Sequence, residues 1–103
     1  MDQQILDDII RRIVEVVQPE KIILFGSAAR GEMNRHSDVD LLIIKECANP
    51  LELMGQIYQN LHRVGAAVDA IVVTPQAVER YKDSHALVIK PALREGRIVY
   101  EAA

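Results

Sequence analysis

Lys21-Ile22-Ile23-Leu24-Phe25-Gly26-Ser27-Ala28-Ala29-Arg30-Gly31, followed after five residues by Ser37-Asp38-Val39-Asp40-Leu41-Leu42-Ile43-Ile44, is the stretch on which the fold turns. Lys21–Phe25 and Leu41–Ile44 are apolar runs of strand length, the first closed by a glycine and the second opened by acids, and both are predicted to be buried strands. The passage from the Gly26 turn to Asp38 is too short for a crossover helix, so the two strands should be antiparallel neighbours. Any chemistry borne by the turn and the acids then sits at the ends of two core strands, a rigid platform for a site.

The turn invites an anion. A strand that ends in Gly-Ser and feeds a short helical turn exposes backbone N–H groups where the helix dipole is positive. Gly26 lets the backbone approach a ligand closely, and the Ser27 hydroxyl can donate to a phosphate oxygen. Ser27 could instead be an N-cap. A capping box, however, would place Glu or Gln three residues on, whereas Arg30 stands there and opposes the dipole unless a negative group lies near. That group is either a bound anion or an acidic neighbour such as Glu32.

The acids point to a cation. Side chains alternate along a strand, so Asp38 and Asp40 share one face and Val39 takes the other. Asp69 opens a third apolar run, Val68-Asp69-Ala70-Ile71-Val72-Val73, where a charge is unexpected. If the three strands are neighbours, Asp69 faces the pair, and like charges this close need cations or shifted pKa values. Hard oxygen ligands with open positions suit Mg²⁺, and two such ions can clamp the attacking and leaving oxygens of a phosphoryl displacement. Taken singly, each acid has a plainer reading: an Asx turn for Asp38, a solvent-facing edge position for Asp40 and a loop end for Asp69. Their combination with a Gly-Ser turn argues for a site.

Outward from this centre the chain reads as scaffold. An amphipathic helix is predicted from Asp2, with Ile5, Ile9, Ile13 and Val16 on its apolar face and Pro19 ending it. A second should run from Pro50 to about Val64, capped by Asn49 and burying Met54, Ile57, Leu61 and Val64. Such a helix between strands is a crossover, so the sheet should be mixed, an α/β (α+β) arrangement flanked by helices. Thr74-Pro75 should open a polar helix to about Tyr81, and Ser84–Glu95 should be helical with a kink or break at Pro91 and a stop at Gly96. His36, His62 and His85 share no metal-ligand spacing and read as surface residues, and Tyr58, Tyr81 and Tyr100 as half-buried aromatics. Arg11, Arg12 and Lys82 read as charges on solvated helix faces.

The pattern G-S-x-x-R-G-x5-S-D-x-D followed by apolar residues resembles the nucleotidyltransferase superfamily of DNA polymerase beta, and the length is similar to that of its stand-alone minimal (MNT) members. The ending, His85–Leu87 through Ala92–Tyr100, is similar to the family's usual close of helix, glycine stop and short strand. The resemblance implies the nucleotidyltransferase fold. It also implies that Gly26 and Ser27 hold the phosphates of a nucleoside triphosphate, that Arg30 neutralises one of them, and that Asp38 and Asp40 bind two Mg²⁺ ions. Asp69 would bind the ion nearest the attacking hydroxyl and help remove its proton. An acceptor hydroxyl would then attack the α-phosphate and pyrophosphate would leave.

Composition limits the partners. The 103 residues, half of them apolar, suit one domain spanning 1–103. A net charge of −3, with Lys and Arg scattered, argues against a chain that grips nucleic acid alone. Cys47 has no partner for a disulfide, and no leader or long apolar span is seen, so a cytoplasmic protein without a membrane segment is expected. So short a chain leaves little room to hold an acceptor, and a partner should bring it. In the family resembled here that partner is commonly a HEPN-domain ribonuclease toxin, silenced in some pairs by AMP transferred from ATP to a tyrosine. Two other readings stand beside this one: a binding module that masks the toxin without catalysis, and a small-molecule nucleotidyltransferase completed by a helical substrate-binding subunit.

Overall fold

In a computed structural model of the chain, residues 3–26, 39–62, 64–84 and 89–102 are described. The elements run α1 (Gln3–Val17), β1 (Lys21–Phe25), β2 (Val39–Ile44), α2 (Pro50–Gln59), β3 (Val68–Val73), α3 (Pro75–Tyr81), α4 (Ile89–Glu95) and β4 (Arg97–Glu101). The four strands form one sheet in the order β3-β2-β1-β4. β1 pairs antiparallel with β2 and with β4, whereas β2 and β3 are parallel, joined by the α2 crossover. The sheet is mixed, as the short β1–β2 passage and the intervening α2 require.

Helices cover both faces. On one, α1 and α2 pack Leu6, Ile9, Ile13, Val17 and Ile57 against Ile22, Leu24, Val39, Leu41, Ile43, Ala70 and Val72. On the other, Ile89 and Ala92 of α4 and Val78 of α3 meet Ile23, Leu42, Ile44, Ile71 and Val73. This two-sided cover explains the unbroken apolar run of β2, where Leu41, Leu42 and Ile43 are all fully buried.

Several boundaries differ from the sequence expectations. The buried stripe of α1 is Leu6, Ile9, Ile13 and Val17, while Ile5 and Val16 are only half-buried at its flank. The helix is turned by roughly half a residue step from the expected face, because a sheet surface covers an arc wider than one row of side chains. Helix α2 starts as expected, with Asn49 Oδ1 accepting the Glu52 N–H at 3.3 Å, but it stops at Gln59 rather than near Val64. There the Asn60 N–H turns back to the Ile57 carbonyl at 3.0 Å and its side-chain amide donates to the Gln56 carbonyl at 2.8 Å. Leu61 and Val64 are buried from the following loop instead. Arg12 is no mere solvated charge: its guanidinium donates to the carbonyls of Asn60 at 3.3 Å and His62 at 2.8 Å, tying α1 to that loop. Arg11 does lie on a solvated face, between Asp8 and Glu15, and Lys82 pairs with Glu79 on α3.

Of the helix expected over Ser84–Glu95, Ile89–Glu95 is helical as α4 and includes Pro91, while residues 85–88 lie outside the described residues. Ser84 is not helical, its N–H closing a turn on the Tyr81 carbonyl at 3.0 Å. Thr74 caps α3 through its hydroxyl, which accepts the Ala77 N–H at 3.1 Å. Among the described residues no helix is long and apolar enough to cross a membrane.

Candidate active site

Three strands align one row of side chains at the end of the sheet where β1 leaves and β2 and β3 begin. Phe25 is in antiparallel register with Asp40, and Asp40 is in parallel register with Asp69. Alternation fixes the face. Val39 and Leu41 point to the α1–α2 side with Val68, Ala70 and Val72, so Asp40 and Asp69 both project on the α3–α4 side. Adjacent strands run about 4.8 Å apart, so these carboxylates leave the backbone as near neighbours.

The buried patch under α3 and α4 is built from Ile23, Leu42, Ile44, Ile71 and Val73, further along the strands than the two acids. Asp69 is therefore exposed and Asp40 half-buried. Phe25, half-buried on the same face, flanks Asp40 on the β1 side. The sequence marked Phe25 only as the end of a strand, and only register sets it beside the acid.

Gly26 follows Phe25 with φ +74°, in the left-handed region that side chains avoid. A Cβ at this position would run into the Asp40 carboxylate. Absence of a side chain thus lets the chain leave β1 against that carboxylate. Gly26→Ala is expected to impose left-handed strain of about 1 kcal/mol and to push the Asp40 carboxylate aside. Turnover at any reaction centred on this carboxylate should fall by roughly 10²-fold, since a displacement of about 1 Å at a reacting centre costs that much; steady-state kinetics beside a thermal melt check it.

Gly26, Asp40 and Asp69 are thus brought together at one sheet end. Ser27, Arg30 and Asp38, with His36, lie outside the described residues. Among the described residues, two acids meet here and no group of three His, Cys, Asp or Glu side chains forms a metal cluster. The donor chemistry fits a hard divalent ion: two oxygen-only, acceptor-only ligands, one open to solvent, beside the left-handed Gly26. A magnesium ion held there would supply charge neutralisation at phosphorus and acidify a hydroxyl. Cys47, a soft ligand, is half-buried against the α1–α2 core and takes no part.

A mixed sheet with helices on both faces, an antiparallel pair leading out of a glycine turn, and acids in register on β2 and its parallel neighbour together define a nucleotidyltransferase fold. Residues 7–103 match the Polymerase beta, Nucleotidyltransferase family, and the chain belongs to it. A protein of Methanocaldococcus jannaschii, provisionally named a protein adenylyltransferase, is 32% identical over 83 residues, covering 79% of this chain and 78% of that protein. Among solved structures, a provisionally assigned nucleotidyltransferase from Sulfolobus solfataricus superposes with a TM-score of 0.65 at 19% identity, over 95% of this chain and 78% of that one. A toxin–antitoxin structure with AMP-PNP gives 0.61 at 16% identity, over 99% of this chain and 75% of its own. A mutant of the toxin–antitoxin MntA–HpeT carrying two Asp→Glu changes gives 0.62 at 13% identity, with coverage of 99% and 75%. At such low identities these likenesses concern the fold.

Proposed function

We propose that this nucleotidyltransferase moves a nucleoside monophosphate, AMP from ATP, onto a hydroxyl of a partner protein in a Mg²⁺-dependent reaction, and that the partner is a HEPN-domain ribonuclease toxin held silent by the modification. The observation that carries the reading is the in-register pair Asp40 and Asp69 beside the left-handed Gly26. The M. jannaschii relative's name supports a protein acceptor, and the structural neighbour with AMP-PNP supports an adenine nucleotide and a toxin partner.

In this reading Gly26, Ser27 and Arg30 hold the triphosphate, and Asp38, Asp40 and Asp69 hold two Mg²⁺ ions. The acceptor oxygen attacks the α-phosphorus, the bond to the bridging oxygen breaks, and pyrophosphate carries away the electron pair. Asp69 lies on the open side, exposed to solvent, where an acceptor hydroxyl can reach it and its proton can pass to carboxylate or water. Asp40 sits further in, against the turn.

Incubation with α-³²P-ATP, Mg²⁺ and the protein encoded beside it is expected to label that partner, with label surviving denaturation and mapping by mass spectrometry to a tyrosine. EDTA should abolish labelling. An unlabelled partner that is nonetheless neutralised on binding would overturn the enzymatic reading in favour of a masking module. Label appearing only on a small molecule would overturn the protein acceptor.

A further inference from the structure

We propose that the Tyr58 hydroxyl is a positioning group for Asp69, holding the outer edge of β3 so that the Asp69 carboxylate stays beside Asp40. The inference rests on reading those two acids as a cation-binding pair. Among the described residues β3 is an edge strand, with β2 on one side and no strand on the other. Its ladder to β2 is bounded by the Val39 N–H on the Ala67 carbonyl at 2.8 Å and the Lys45 N–H on the Val73 carbonyl at 2.9 Å. Alternate residues of a parallel ladder direct both backbone groups to one side. Asp69 therefore bonds toward β2, and Ala70 presents its N–H and C=O to the open edge.

At that edge stands Tyr58, in the last turn of α2. Its hydroxyl accepts the Ala70 N–H at 2.9 Å and donates to the Ala70 carbonyl at 3.4 Å. The Ala70 N–H belongs to the same planar peptide group as the Asp69 carbonyl. That plane is held at both ends, by β2 through the carbonyl and by Tyr58 through the N–H, which fixes ψ of Asp69 and with it the departure of the side chain. Tyr58 packs from the α2 side while the Asp69 carboxylate leaves on the α3–α4 side, so the hydroxyl acts through the backbone. The restraint has work to do, because a carboxylate beside another is pushed outward and an edge strand has no outer neighbour to resist.

Tyr58→Phe keeps the ring and removes both bonds. Three readouts are expected to move: deuterium exchange of the Ala70 amide, followed by NMR, should accelerate at least about tenfold. Affinity for Mn²⁺ in the presence of AMP-PNP, measured calorimetrically, should weaken by about tenfold, as for other residues that orient metal ligands. The Mg²⁺ concentration giving half-maximal transfer should rise in step, with kcat at saturating Mg²⁺ within about twofold. Tyr81→Phe should change none of these. Faster Ala70 exchange with unaltered Mn²⁺ affinity would overturn the proposal, reducing Tyr58 to a clip on the sheet edge, and so would unaltered exchange. Wild-type protein that binds Mn²⁺ but transfers no nucleotide would sink the proposed activity alone; wild-type protein that binds no Mn²⁺ would sink the reading of the acidic pair, and the role of Tyr58 with it.

Discussion

Asp69→Asn is expected to cut nucleotidyl transfer by about 10³-fold while leaving the melting temperature within roughly 2 °C of the wild-type value. The two halves of this expectation have separate causes. Asn has the shape of Asp but not its charge, so in the proposed reaction a cation that needs an anionic oxygen would lose a ligand, and an acceptor hydroxyl the group that would take its proton. The side chain is exposed and its backbone bonds belong to the sheet, so folding scarcely registers the change; surface substitutions of this kind stay within about 0.5 kcal/mol. Asp40→Asn should lose at least as much activity, since Asp40 is half-buried between Gly26 and Asp69. Residues serving one site act as a unit, so Asp40→Asn/Asp69→Asn should be little worse than either single change. Single-turnover kinetics with labelled ATP, beside circular-dichroism melts, test the set. An Asp69→Asn protein that keeps wild-type activity would remove Asp69 from the site.

Gly96→Ala should be strongly destabilising. Gly96 ends α4, its N–H on the Ala92 carbonyl at 2.9 Å, and delivers the chain into β4 against the β1 backbone. A Cβ there would strike the Ala92 carbonyl and Ile23 Cγ2 and lie 3.1 Å from the Leu24 carbonyl. Two of these atoms are backbone and cannot swing aside. Overpacking of this sort costs about 3 kcal/mol, or roughly 12–20 °C in a domain of this size. Gly55→Ala supplies the contrast, because beyond its chain neighbours and the backbone of its own helix no atom lies within 4 Å of a Cβ at that position of α2. There the gain in helix propensity should raise stability by about 0.5–1 kcal/mol. Denaturant titrations of the two variants should thus move in opposite directions.

Much of this architecture was legible because its signals are local. Apolar runs of four to six residues marked β1, β2 and β3; Asn49-Pro50 and Thr74-Pro75 marked helix starts whose caps the structure retains. The spacing between runs settled which pairs are antiparallel and which need a crossover. Illegible were the features that depend on neighbours. The stop of α2 at Gln59 follows from Asn60 bonding back to Gln56, which competes locally with a helix that the apolar pattern would continue to Val64. Arg12 looked solvated because nothing in the sequence shows that the loop after α2 returns to α1.

The sequence by itself determined the chemistry available: a glycine turn, acids spaced to share a strand face, and a third acid heading an apolar strand, since strand alternation is a property of the local backbone. Only the tertiary structure decided that Asp40 and Asp69 stand in register on adjacent parallel strands, that Phe25 lies in the same row, and that a tyrosine hydroxyl from α2 grips the strand beside Asp69. Register between strands separated by a helix is set by how that crossover packs on the sheet, and no run of residues encodes it alone.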